Sequence, residues 1–319
     1  MSDHAPLSSP PVNRAHIKQH FSHAAPSYDE AAVLQKAVAE HVDERLALTT
    51  LSPQMILDIG AGTGLLTEKV IHRYPQARTF AIDLSADMLK RAQQRLQGPR
   101  FKWLPQSLFA KDGANLVNAD AYALPIADHS VDLIVSNLML QWCDDLDRVF
   151  QEFRRVLRPE GLLMFTTFGP DTLKELKQAW AVADADNPHV NHFVDMHDIG
   201  DALIRNGFGQ PVMDVETFTL TYDKPIGVLK DLKAIGATNA GLNRKRGLMG
   251  KQTFQTMLEA YESQRDPQRH DGKLPATYEV VHGHAWAAQE VIKGPNRDRA
   301  GLVEISLDEF SKQTKNRQT

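Results

Sequence analysis

The chain has 319 residues, 42% hydrophobic and 24% charged, with 36 Lys+Arg against 40 Asp+Glu and a formal net charge of −4. That balance, with a mean hydropathy of −0.37, excludes a strongly basic nucleic-acid binder and a disordered chain of low hydrophobicity. One cysteine, Cys143, rules out an internal disulfide or a thiolate metal cluster and suits a reducing compartment.

Residues 1–12 are rich in Pro and Ser and lack the apolar segment of a secretory signal, so a flexible tail and a cytoplasmic protein are expected. No uncharged apolar run reaches the roughly 18 residues of a membrane span. Helical spacing covers about Val12–Ala47. Met55–Ile59 is a short apolar run ending in Asp-Ile-Gly, and Leu65–Tyr74 returns to helical spacing. Thr79–Asp83 reads as a second strand, Ser85–Leu96 as a helix and Leu116–Asn118 as a third strand. Val131–Ser136 (VDLIVS) is a run rich in β-branched residues, as expected of a strand buried on both faces. Leu146–Leu157 is helical up to the breaker Arg158-Pro159-Glu160-Gly161, after which Leu162–Phe168 is a fifth strand. Strands alternating with helices in this way predict an α/β, Rossmann-like fold: a mostly parallel sheet with helices on both faces.

Beyond Gly169 the helical segments Thr172–Ala183, Met196–Asn206 and Pro225–Ile235 dominate, interrupted by the alternating run Val212–Tyr222 and followed by a late strand, Thr277–Ala287. They are expected to form a helical insertion or lid, at about 169–211 and 223–265, plus the closing strands of one domain spanning 13–290. Residues 291–319 are expected to be an appendage, in part disordered.

The sharpest motif is Leu57-Asp58-Ile59-Gly60-Ala61-Gly62-Thr63-Gly64, where a strand turns into a helix. Glycines there let the backbone turn tightly and bring main-chain N–H groups up to a ligand. The G-x-G-x-x-G dinucleotide fingerprint would need glycine where Leu65 stands. Asp83 ends the next strand, about 20 residues beyond the glycine turn, at the position where a carboxylate takes ribose hydroxyls. Asp120 and Ala121 follow the third strand, where an acid can accept from an adenine amine. Asp83 also suits a plain helix N-terminal acid.

In LDIGAGTG, AIDLSADML, NADAYALPIADHSVDLIVSN and FRRVLRPEGLLMFTTF, spanning about Met55–Phe168, the chain resembles the class I S-adenosylmethionine-dependent methyltransferases. The resemblance implies that Gly60, Gly62 and Gly64, with Asp58, hold the methionine moiety. Asp83 would take the ribose and Asp120 the adenine end, with Leu84, Met88, Ala121 and Asn137 as further contacts. More narrowly, F-x-x-A-A-x-x-Y (Phe21–Tyr28), SNLMLQW, TTFGPDTLKEL, HFVDMHDIGDAL, LKDLKAIGATNAG and LPATYEVVHGHAW are similar to the malonyl-acyl-carrier-protein O-methyltransferases of biotin synthesis. That implies methyl transfer to the free carboxylate of a malonyl group on acyl carrier protein. Such a reaction is helped by a lid that expels water, expected from the N-terminal helix bearing Tyr28 and the insertion bearing Phe193. Tyr28 and Trp142 are expected to position the acceptor, Trp142 beside Gln141 where its pocket opens after the fourth strand, although Trp142 also suits an apolar core. Tyr28 equally suits a packing role within its own helix.

His189, His192 and His197 lack metal-ligand spacing, and no metal is expected. Between Lys224 and Lys251 seven positive residues, among them Lys233, Arg244, Lys245 and Arg246, face Asp231 alone, a local +6. Such a reversal of sign suits an acidic partner such as acyl carrier protein, as well as a merely solvated face. Nucleic-acid binding is not expected, because no aromatic residues interleave the charges. Methylation of another small carboxylic acid, or modification of a protein partner by a cofactor-binding assembly factor, stays open.

Overall fold

A computed structural model describes residues 12–97, 113–237 and 250–289. Seven strands form one sheet: β1 (Met55–Ile59), β2 (Arg78–Asp83), β3 (Asn115–Asn118), β4 (Val131–Ser136), β5 (Leu157–Phe168), β6 (Phe208–Tyr222) and β7 (Leu274–Ala287). Their order is β3-β2-β1-β4-β5-β7-β6. The pairs from β3 to β5 are parallel, and β7 runs antiparallel to both β5 and β6. Strand order reverses between β1 and β4, so a crevice opens there at the carboxyl ends of the strands.

Ten helices accompany the sheet among the described residues: α1 (Arg14–Ala24), α2 (Tyr28–Ala31), α3 (Val33–Leu46), α4 (Leu65–Arg73), α5 (Ala86–Leu96), α6 (Leu146–Val156), α7 (Lys174–Ala183), α8 (Met196–Arg205), α9 (Pro225–Ala234) and α10 (Lys251–Glu262). Side-chain alternation divides the central strands between two cores. Ile56, Leu133, Val135, Leu162 and Met164 face α3 and α4, meeting Val42, Leu46, Leu66 and Val70. Leu57, Ile59, Ile134, Leu163 and Phe165 face the other way, against Phe150 and Phe153 of α6. Asp145 caps α6 by accepting from the Arg148 N–H at 3.0 Å.

The elements expected from the sequence are present with ends shifted by a few residues, with four differences. The N-terminal helical segment is three helices, because Pro26 has no N–H to continue the first and Ala32 leaves helical geometry before α3. The breaker at Arg158–Gly161 bulges out within β5, whose pairing with β4 jumps from Leu157 to Leu162. α10, not picked out as a helix, packs Met257 and Tyr261 beside α7 and α9 in a third cluster that also holds Phe168, Trp180, Phe193 and Tyr278. This third cluster covers the sheet beside the crevice. α8, within the span expected to be lid, buries Ile199, Ala202 and Leu203 in the α6 core instead. The strand-like stretch beyond Glu290 and the 97–115 connection fall largely outside the described residues.

Candidate functional site

β1 delivers the chain to the glycine turn. Gly60, Gly62 and Gly64 all have positive φ, of 76°, 56° and 83°. At Gly60 the requirement is twofold: a Cβ would lie 2.3 Å from Met139 Cγ, and the left-handed backbone disfavours any L side chain. The Gly60 and Ala61 N–H groups donate to the Ile82 carbonyl at 2.8 and 3.0 Å, which locks the turn to β2. Gly62 N–H donates to Asp83 Oδ2 at 2.9 Å and Ser85 N–H to Oδ1 at 2.7 Å. Asp83 is therefore aimed by main chain on two sides, and burial still raises its carboxyl to about 6.

Asp58 lies beneath the turn, 1% exposed. Thr67 Oγ1 donates to its Oδ2, while Oδ1 has no partner. Burial, with help from the neighbouring Asp83 charge, pushes this carboxyl up to about 7 against the lowering effect of Thr67. A buried carboxylate oxygen with no donor is costly unless a cationic group completes it.

A cavity of about 590 Å³ opens at the strand reversal, with Gly60, Asp83, Leu84, Asp120 and Ala121 in its walls. Its roof is α1: Arg14, Ile17 and Phe21 face inward. Arg14 donates to Asp120 Oδ2 at 3.3 Å and stacks 3.9 Å over the Tyr122 ring. Asp29 tethers α2 to the same turn, accepting from Thr63 Oγ1 at 2.6 Å and from Arg95 at 2.7 Å. Cys143 lines the cavity with a thiol that burial pushes up to about 12, so it is an inert wall.

A second cavity of about 700 Å³ adjoins the first, and Phe21 and Trp142 line both. Their rings meet edge to face, with centroids 5.2 Å apart. Tyr28, Gln141, Trp142 and Phe193, named from the sequence, all line this second cavity. Gln141 is oriented by donating to the Leu138 carbonyl at 2.7 Å and accepting from Thr167 Oγ1 at 3.3 Å. The Tyr28 phenol is pushed upward by burial and by Asp83 and Asp29, so it stays a neutral donor.

The sequence-named residues thus sort into layers. Gly60, Asp83, Leu84, Asp120 and Ala121 line the first cavity, while Asp58, Gly62, Gly64 and Met88 are not in its walls. Gly64 starts α4, and Met88 is buried on α5. Asn137 sits beneath the second cavity, donating to the Gln35 carbonyl at 3.1 Å and accepting from Thr166 Oγ1 at 2.8 Å. His189 was not picked out for the cavity, yet it lines it, stacked 3.8 Å from Trp180 and 3.0 Å from Asp184. Its signal was the aromatic Trp180 nine positions earlier, which spacing alone does not connect. His192 and His197 are exposed and do not join it. Lys233 is exposed on α9. Arg244, Lys245 and Arg246 lie outside the described residues.

Comparison with known proteins is consistent along the chain. Residues 57–165 match the model of the Methyltransferase domain family. The chain is 49% identical to the malonyl-acyl-carrier-protein O-methyltransferase of Methylovorus sp. over 287 residues, 89% of this chain and 93% of that one. It is 50% identical to the enzyme of that name from Laribacter hongkongensis, over 86% of this chain and 90% of the other. The crystal structure of the YcgJ protein from Bacillus subtilis shares the fold, with a TM-score of 0.52 at 13% identity, over 79% of this chain and all of that one. A glycine turn beside a crevice edged by Asp83 and Asp120, and near-half identity over almost the whole length, lead to one assignment: the chain belongs to the malonyl-acyl-carrier-protein O-methyltransferase family, S-adenosylmethionine-dependent enzymes of the class I methyltransferase fold.

Proposed function

We propose that the protein methylates the free carboxylate of a malonyl thioester carried on acyl carrier protein, giving the malonyl methyl ester that starts the pimeloyl chain of biotin. The observation that carries this reading is the pair of adjoining cavities with Phe21 and Trp142 as their common wall, one edged by carboxylates and one largely aromatic and aliphatic.

The residues of the first cavity fit S-adenosylmethionine. Each Asp83 oxygen takes one backbone N–H and keeps a lone pair for a ribose hydroxyl. Asp120, held by Tyr122 N–H at 3.0 Å and by Arg14, is the acceptor for the adenine amine. Beneath the cavity rather than in its wall, Asp58 Oδ1, buried and unpartnered, would be the acceptor for the ammonium group. When bound, S-adenosylmethionine supplies an electrophilic methyl group on a sulfonium sulfur.

A malonyl carboxylate is already ionised at pH 7, so the protein need not supply a general base. Its work is alignment, which in favourable cases contributes about 7 kcal/mol or more to lowering a barrier. Tyr28 donates its O–H toward the acceptor, and Gln141, fixed at both ends of its amide, shapes the pocket mouth. Phe21, Trp142 and Phe193 exclude water, which strengthens attraction between a carboxylate and a cation where the methyl passes. Lys233 and the basic residues 244–246 suit the acidic surface of a carrier protein by charge complementarity.

The deciding experiment is a mass-spectrometric methyl-transfer assay with S-adenosylmethionine and malonyl-acyl-carrier protein, malonyl-coenzyme A or free malonate. Preference for the carrier-bound substrate is expected. Cofactor binding without methylation of any of the three would overturn the proposal in favour of another acid or a protein target.

A further inference from the structure

Away from the two cavities, three ligating side chains from distant parts of the chain converge: His41 on α3, Glu216 on β6 and His282 on β7. One ligand atom from each lies within 4.8 Å of the others. His41 Nδ1 is 2.8 Å from Glu216 Oε2, and His282 Nε2 is 3.4 Å from the same oxygen. His282 is only 2% exposed, and neither of its ring nitrogens has a hydrogen-bond partner. Native proteins rarely leave a buried polar side chain wholly unsatisfied. The nearby charges do not relieve it, because Arg45, one turn along α3 from His41, is clasped by Asp214 at 2.9 and 2.7 Å.

We propose that His41, Glu216 and His282 bind a divalent transition metal, with Zn²⁺ the best match. Two imidazoles and a carboxylate are a zinc donor set, and two ligands on a tetrahedral ion lie about 3.3 Å apart. The His282–Glu216 spacing already has that value. The His41–Glu216 pair must widen by about 0.5 Å, and both side chains, roughly a third exposed, have room to do so. Their exposure also leaves the fourth position open to water. The ion would tie α3 to the outer β6–β7 pair. Because the Gln35 carbonyl of α3 holds Asn137, the clamp would steady the floor of the acceptor cavity. No short motif announces the site, since its ligands stand at positions 41, 216 and 282.

The test is a Zn²⁺ titration of tag-free, chelator-stripped full-length protein, read by competition with a chromophoric chelator and by thermal denaturation. One equivalent should bind, and Tm should rise by about 4 °C or more at a hundredfold excess over Kd. H41A and E216A, which leave the buried His282 in place, should each weaken binding at least about tenfold and lose the Tm rise. Unchanged S-adenosylmethionine affinity in both variants would show an intact fold. Absence of stoichiometric binding by the wild type, or full-strength binding by either variant, would overturn the site.

Discussion

Asp58→Asn separates folding from function at a single atom. Asp58 is buried, and its folded pKa of about 7 stands above the ordinary 3.8. The native state therefore holds the Asp58 proton more tightly than the unfolded chain does. Its contribution to stability falls as pH rises from about 4 to about 7 and levels off above, a penalty on the order of 4 kcal/mol by pH 8. Asparagine is nearly isosteric and uncharged, and its carbonyl can still accept from Thr67. Its amide NH₂ takes the place of the unpartnered Oδ1 and costs about 1–3 kcal/mol if unsatisfied. The expected net effect at pH 8 is a stabilisation of about 1–3 kcal/mol, shrinking toward zero or reversing at pH 5, in urea unfolding without cofactor. The same change would remove the charged hydrogen bond proposed for the ammonium of S-adenosylmethionine and should weaken binding about 10- to 100-fold by calorimetry. Equal stability changes at pH 5 and pH 8, or unaltered cofactor affinity, would refute the reasoning.

Gly60→Ala should lower S-adenosylmethionine affinity at least about tenfold, since left-handed strain and the clash with Met139 displace the turn; far-UV circular dichroism should show the sheet retained. Tyr28→Phe should reduce kcat while the calorimetric Kd for cofactor changes less than about twofold, because Tyr28 lines the second cavity and not the first. A Lys233→Glu, Arg244→Glu, Arg246→Glu triple variant should raise KM for carrier-bound substrate much more than for the coenzyme A thioester, in the methyl-transfer assay. Cys143, buried with its thiol raised to about 12, should resist iodoacetamide at pH 8 in native protein and react once urea unfolds it.

What the sequence by itself determined was of short range, with α10 and the three-way division of the N-terminal helical segment as exceptions. β1 and β4 follow from apolar runs whose length and β-branching leave little choice, and the ends of α5 and α6 follow from the capping side chains of Ser85 and Asp145. The glycine turn and the acids at the ends of β1 and β2 were legible because a βα turn that approaches a ligand needs those residue types in that order. Tyr28, Gln141, Trp142 and Phe193, which line the second cavity, were legible from their place in motifs and at the end of β4 rather than from periodicity, since an aromatic at helical spacing looks the same whether it packs a core or lines a pocket. Tertiary structure alone decided which helices became walls: α8 carries the same kind of apolar stripe as α7, yet it faces α6 while α7 faces the cavity. It alone brought α1 over the crevice through Arg14 and Phe21, His189 against Trp180, and His41, Glu216 and His282 to one point. Apart from His189 and Trp180, nine positions apart, those meetings join elements far apart in the chain through sheet order and register, and no local pattern of charge or hydrophobicity encodes a distance of that kind.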